Sequence, residues 1–431
     1  MTQRTVDNPK IIASWSLYDW ANSAFTTLVV TFIYSIYFSK AIAPDEISGT
    51  VLWSRAVSAS AIAIAVLAPI AGAIADRGGL RRRFLVTSTA ICIAATAALA
   101  FVEPGQANSV ILALIIFVVA NVAFEMGIVF YNSYLPDIAS PPKIGRVSGY
   151  GWGLGYLGGL LCLVLALVVF VRDEPLFGIS TVDGFNVRAT NLLVAGWFAL
   201  FSIPFLILGK DAPGATGKIR IGEAFGELRE SFRQIRRYKQ MVRFLIARLI
   251  YNDGLVTIFA FGGIYAAGTF GMELEEILFF GIMINVTAGL GAFLFGFVDD
   301  KLGGKQTVLI SIAALSVITA AAVFAPNKTW FWIVGLLIGI FVGPSQSASR
   351  SLMGRFVPRK HQTEFFGFFA FSGKFTAFLG PLFLGAATQL FNNQRAGIAT
   401  VLLFFIVGGV LLMRVDEEEG IRAAVGDGGE R

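Results

Sequence analysis

The sequence predicts an all-α integral membrane protein: twelve transmembrane helices in two pseudo-symmetric six-helix bundles. Three observations predict it. Of 431 residues, 56% are hydrophobic and only 14% charged, against about 25% charged in soluble domains. Hydropathy marks apolar stretches near 14–39, 50–75, 83–102, 109–133, 147–171, 189–209, 243–268, 276–298, 306–325, 329–350, 363–391 and 396–414, each long enough to cross a hydrocarbon core of about 30 Å. Polar segments at the ends of these stretches then recur between the two halves of the chain.

In lipid the backbone has to satisfy its own hydrogen bonds, so stretches this long and apolar read as helices. Pro69, Pro204, Pro344, Pro381 and the glycines between 149 and 159 fall inside them and predict kinks and close helix contacts. Residues 1–10 are polar and the next apolar stretch is too long for a signal sequence, so no cleavable leader is expected. Cys92 and Cys162 sit in apolar runs with no ligand spacing and read as small packing residues.

The chain holds 34 Lys and Arg against 28 Asp and Glu, a net charge of +6. With the N-terminus inside, the loops facing outward carry only Lys40, Arg172, Arg188, Lys328 and Arg395, and nearly all the rest lies on the inner side. Positive charge is therefore a topology signal that places both termini in the cytoplasm, and nucleic acid is not an expected partner. The expected organisation is a bundle over 11–209, a basic linker over 210–242, a second bundle over 243–414 and a disordered acidic tail over 415–431. The linker places Phe225, Leu228, Phe232 and Ile235 at helical spacing among basic residues; this suits an amphipathic helix on the anionic leaflet or a plain charged linker.

The repeat is the sharpest local signal. Gly72-Ala-Ile-Ala-Asp76-Arg77-Gly78-Gly79-Leu-Arg81 ends the second stretch, and Gly296-Phe-Val-Asp299-Asp300-Lys301-Leu-Gly303-Gly304-Lys305 ends the eighth. Both are an acid, a base, a glycine pair and a further base in a tight inner turn. The glycines permit positive φ and the acid suits a helix N-terminus. Tyr131–Asp137 and Ser345–Arg355 match after stretches four and ten, and Tyr18-Asp19 matches Tyr251-Asn252-Asp253. A parallel duplication of a six-helix unit follows, with a site expected between the copies near the bilayer midplane.

The Gly72–Arg82 turn and its copy resemble the loop 2–3 signature of the major facilitator superfamily. Tyr18-Asp-Trp-Ala-Asn-Ser-Ala-Phe25, Tyr251-Asn-Asp-Gly254, and Gln346-Ser-Ala-Ser-Arg350-Ser leading to Glu364-Phe-Phe-Gly367 and Gly373-Lys374 resemble the vacuole-effluxer-like branch. That branch includes an autophagy-linked amino-acid exporter, and the resemblance runs from stretch one to stretch eleven. It implies the major facilitator fold and names no substrate.

Charges inside the spans cost about 2.5–3.5 kcal/mol each on insertion scales, so each is a functional candidate. They are Asp19, Arg55, Glu125, Arg248, Asp253 and Lys374, and interhelical pairing that fixes the packing is the competing reading for every one. Asp19 shares a helix face with Asn22, and Glu125 with Asn121, so both acids border polar stripes. Glu125 is the first candidate for exchanging a proton. Arg248, Asn252 and Asp253 cluster on one stretch, and Lys374 lies roughly 16 Å along its own, near the midplane. These seven residues, Asp19, Asn22, Glu125, Arg248, Asn252, Asp253 and Lys374, are the candidates for substrate or proton coupling. Asn121, Tyr150, Trp152, Tyr156 and Asn285 are candidate cavity lining. Gly72, Asp76, Arg77, Gly79, Arg81, Asp299, Asp300, Lys301 and Gly304 are candidate conformational gating loops. His361, the lone histidine, reads as solvated.

No phosphate-binding glycine loop, metal-spaced cluster or nucleophile elbow occurs, so neither an enzyme nor a cofactor is expected. The reading is a gradient-driven secondary transporter, a monomer in the cytoplasmic membrane, whose partners are a small-molecule substrate, the lipid bilayer and protons as coupling ion. Efflux of an amino acid or similar zwitterion leads. Export of an amphipathic drug, a lipid-like molecule or a sugar is the rival, and a non-transporting receptor or scaffold the alternative outside that class.

Overall fold

The computed structural model describes residues 6–172, 174–211, 233 and 235–426. Among them, twelve helices are long and apolar enough to cross a membrane. In chain order these are spans 1 to 6, Pro9–Ile42, Glu46–Gly78, Arg81–Leu99, Ser109–Ile138, Ile144–Val169 and Val182–Leu208, and spans 7 to 12, Lys239–Phe270, Glu275–Leu302, Gly304–Val323, Lys328–Phe356, Gln362–Phe391 and Gln394–Met413. The "inner" side below is the one carrying the N-terminus, the basic loops and the C-terminal helix.

Local chemistry sets the helix ends. Asn8 accepts from Lys10 N–H ahead of Pro9, and Asp45 accepts from Ile47 and Ser48 N–H, so spans 1 and 2 both start on a side-chain cap. Span 2 ends on Gly79 at φ 61°, and span 8 on Gly303 at φ 88°. These are the matched glycines of the repeated turn, both in the region closed to most side chains. Two spans are irregular. Span 1 widens into π-helical turns over Phe25–Phe32 and Phe38–Ile42. Span 11 is an inner helix, Gln362–Lys374, and an outer helix, Leu379–Phe391, joined by a turn.

Packing repeats between the bundles. Span 1 lies on spans 5 and 6 as span 7 lies on 11 and 12; span 3 lies on 4 and 6 as span 9 lies on 10 and 12; span 2 meets 4 as 8 meets 10. The halves then join by exchange, span 5 against 8 and span 2 against 11. Glycine allows that closeness. A Cβ on Gly149 would come within 2.5 Å of the Ala292 carbonyl, and one on Gly367 within 2.6 Å of the Ala68 carbonyl. Large apolar side chains such as Leu200, Val317 and Leu403 are exposed, as lipid contact requires.

Two expectations change. The acidic tail is not disordered throughout: Glu417–Gly426 is a helix. It is held because Glu417 accepts from Gly304 and Lys305 N–H, both 3.0 Å away at the free N-terminus of span 9, while Gln240 and Glu419 bond at 2.6 Å. His361 is not merely solvated either. Its Nδ1 lies 2.9 Å from Glu364 Oε2 and its ring stacks on Phe365. The amphipathic-helix expectation for the basic linker falls mostly outside the described residues.

Candidate functional site

The polar groups that join the two halves form a layer across the inner ends, with one pair above it. Arg350, on span 10, is the hub. Its guanidinium bonds Asp19 of span 1 at 2.8 Å, Asn132 of span 4 at 3.2 Å, and the Ser148 hydroxyl and carbonyl of span 5 at 2.9 and 2.7 Å. It also lies over the rings of Trp15, Tyr131 and Trp152, at 4.7, 5.8 and 5.6 Å. Both Asp19 and Arg350 are buried.

Two latches flank this hub, and each uses a repeated turn. Asp76, ending span 2, accepts from the backbone N–H groups of Thr363 (3.1 Å) and Glu364 (2.9 Å) at the N-terminus of span 11. Asp300, ending span 8, accepts from Gly145 (2.9 Å) and Arg146 (3.2 Å) N–H at the N-terminus of span 5, and forms an ion pair with the Arg146 side chain. A carboxylate thus completes the free donors of a helix in the opposite half. Behind them Arg81 bonds Asp137 at 2.6 Å and Gln362 at 3.0 Å, with its guanidinium 3.7 Å over the Tyr134 ring. Arg355 bonds Asp299 at 2.6 Å, and Ser351 donates to the same carboxylate.

Above the layer, Lys374 Nζ of span 11 lies 2.6 Å from Glu125 Oε1 of span 4, and both side chains are partly exposed. Arg248 of span 7 donates to the Phe369 carbonyl and the Ser372 hydroxyl, both at 2.7 Å, and sits 3.7 Å over the Phe369 ring. Asn252 donates to the Gly373 carbonyl at 3.1 Å and accepts from Gln346 at 3.3 Å. Span 7 therefore grips the inner helix of span 11 up to the residue before Lys374. Asp253 is buried, and its carboxylate oxygens make no full hydrogen bond; only the Gly380 backbone N–H lies against them.

The sequence candidates divide accordingly. Glu125, Arg248, Asn252 and Lys374 come together across spans 4, 7 and 11, whereas Asp19 belongs to the inner layer, where Asn22 reaches it at 3.4 Å. Asn121 donates to Ser60 at 2.9 Å, and Trp152 packs against Tyr156 with its indole N–H unpartnered. Tyr150 packs on Phe293 and Phe297 between spans 5 and 8, and Asn285 bonds Gly281 of its own helix. Of the gating candidates, Asp76, Arg81, Asp299 and Asp300 bond as described. Gly72 and Gly304 are buried against Thr363 and Leu352, Gly79 makes its turn, and Arg77 and Lys301 are exposed. Arg55 is exposed on span 2.

Arg350 was missed. Hydropathy ends span 10 at that residue, so the arginine counts as loop, but the helix runs on to Phe356 because its polar inner end is buried against the other half. The signal that could have found it is the repeat: Arg350 lies in the Ser345–Arg355 copy of the polar inner end of span 4, and it bonds both Asp19 and Asn132.

A family model described as "Vacuole effluxer Atg22 like" matches residues 35–425. The chain is 28% identical over 412 residues to the "Uncharacterized MFS-type transporter YxiO" of Bacillus subtilis (strain 168), covering 94% of each. It is 24% identical over 310 residues to Autophagy-related protein 22-1 of Penicillium rubens, matching 66% of this chain and only 51% of that one. The chain thus spans about half the length of that relative (51%). Among solved structures, the proton:xylose symporter XylE superposes with a TM-score of 0.75 at 13% identity over 95% of this chain and 96% of that one. The human organic anion transporter MFSD10 does so with 0.72 at 13% identity over 94% and 100%. At these identities the structures speak to the fold alone. With the family matched over most of its length, the chain belongs to the vacuole effluxer Atg22-like family and has the major facilitator fold.

Proposed function

We propose that the protein is a secondary active transporter that exports a small zwitterion, amino acids first among them, with the Glu125–Lys374 pair as its binding centre. The observation that carries this reading is that pair itself. It joins the halves at 2.6 Å, stays partly exposed, and stands above the bonded inner layer. An amino acid brings one carboxylate and one ammonium. Its carboxylate replaces Glu125 on Lys374 and its ammonium replaces Lys374 on Glu125, so no charge is left alone in the protein interior. Because spans 4 and 11 belong to different halves, a molecule that separates the pair also biases how the halves sit, which is the requirement for alternating access. The protein acts as a monomer in the cytoplasmic membrane with both termini inside, driven by protons.

Counterflow in proteoliposomes tests it. Vesicles loaded with leucine are expected to accumulate labelled leucine. Lys374→Ala and Glu125→Gln are each expected to lower the initial rate at least about tenfold, a loss of roughly 1.4 kcal/mol, and the double swap Glu125→Lys/Lys374→Glu to recover part of it. The rival class, amphipathic drugs, lipid-like molecules and sugars, is favoured by the fact that Asp19 and Glu125 already have cationic partners. Thermal stabilisation by a sugar or a hydrophobic amine, with none by any amino acid, would overturn the zwitterion reading.

A further inference from the structure

Span 11 is broken between Lys374 and Leu379, directly after the residue that pairs with Glu125. The break is clasped by span 7. Arg248 and Asn252 hold the carbonyls of Phe369 and Gly373 on the inner helix, and Thr376 in the turn donates to the Leu249 carbonyl at 3.1 Å. One residue on, Asp253 meets the first turn of the outer helix, where the backbone of Gly380 lies against the Asp253 carbonyl and Thr257. Asp253 is only 1% exposed, and its carboxylate oxygens meet no side-chain donor; the one polar group against them is the Gly380 backbone N–H, outside full hydrogen-bond geometry.

A bare carboxylate in such a place is costly, and a group so placed neutralises or finds a cation. No cation faces it. Arg248 on its own span is committed to Phe369 and Ser372. Lys374 of span 11 is committed to Glu125, and Arg350 of span 10 to Asp19. Span 12 presents Phe404 and Phe405 beside Gly254, and its arginines, Arg395 and Arg414, stand at the two membrane ends. Span 8 carries its charges at its two ends too, Glu275 and Glu276 outside and Asp299, Asp300 and Lys301 inside. The C-terminal helix, with Glu417, Glu418, Glu419 and Arg422, lies beyond the inner end of span 7.

We propose that Asp253 is a proton-binding site, separate from the Glu125–Lys374 centre, that acts on the hinge of span 11. The proton adds to a carboxylate oxygen from water and returns to water, with no other bond made or broken. Neutral Asp253 lets the outer helix of span 11 rest against span 7. Ionised Asp253 has only the Gly380 N–H against it and no cation, so the outer helix moves and Lys374, at the other end of the same turn, moves with it. The zwitterion reading supplies only the role of Lys374; the proton site stands without it.

Infrared difference spectra of the full chain in lipid vesicles, stepped between about pH 5 and about pH 9 to bracket the range open to a desolvated carboxyl, test this. The wild type is expected to show a titrating carboxylic-acid C=O band that Asp253→Asn loses and Asp253→Glu shifts. Glu125→Gln is expected to keep the band even while abolishing leucine counterflow, so the two readings fail separately. A spectrum of Asp253→Asn identical to wild type would overturn the proposal. So would a band that sodium at constant pH removes, since that marks a metal-cation site. If the asparagine variant does not fold, an unshifted band in the glutamate variant would overturn it equally.

Discussion

The two latches on the inner face are copies that differ in charge. In both, an aspartate ending a span completes the N–H donors of a helix in the other half, Asp76 on span 11 and Asp300 on span 5. The matched second residue of the capped helix is Arg146 in one and Glu364 in the other. Arg146 turns back and pairs with Asp300. Glu364 brings a second acid beside Asp76, is buried, takes only His361 as a partner on one oxygen, and leaves Oε1 unbonded. One geometry therefore gives a reinforced latch between spans 5 and 8 and a weaker one between spans 2 and 11. The weaker one holds the span that is broken at its middle. Opening of the inner face is expected to begin there, with span 11 as the moving part.

The largest effect should come from removing the hub that both latches flank. Arg350→Ala deletes bonds to spans 1, 4 and 5 at once and leaves Asp19 buried without its cation; breaking a buried pair this way costs about 3–5 kcal/mol. Thiol labelling from the inner side of a cysteine placed at Asn22 is expected to rise at least about tenfold in this variant. Next come the latches themselves. Asp300→Ala should weaken inner closure by about 2 kcal/mol and Asp76→Ala by about 1, the upper end and the typical value for a lost helix cap. The same labelling rate reads them, and an effect of Asp76→Ala larger than that of Asp300→Ala would break the comparison. The smallest effect belongs to Glu417→Gln. That residue caps span 9 within its own half, so the melting temperature should fall while labelling stays unchanged.

The fold was legible because lipid leaves few solutions: spans, their number and their pairing follow from hydropathy and from the Asp76 and Asp300 turns. The inner ends were not. Spans 4, 8 and 10 run to Ile138, Leu302 and Phe356, beyond the limits hydropathy sets, because those last turns are polar and buried against protein. Hydropathy registers polarity and not what covers it. The same cause hid Arg350, the cation that ties Asp19 into the inner layer. Glu125 and Lys374 were legible as charges but not as a pair, since nothing in either stretch states which helices of opposite halves meet. The helix after Met413 was invisible for a simpler reason: its anchor is the capping of Gly304 and Lys305 by Glu417, a contact across 113 positions.

Paired spin-label distances test the central claim, that the inner layer and the outer side exchange states through unequal latches. In a background without the buried Cys92 and Cys162, one pair goes on exposed Arg83 and Lys360 inside and another on exposed Glu46 and Asn392 outside. Arg350→Ala is expected to lengthen the inner distance and shorten the outer one together, and Asp76→Ala to do the same less fully. An inner distance that lengthens while the outer one stays fixed, or two distances that change in the same direction, would contradict the account.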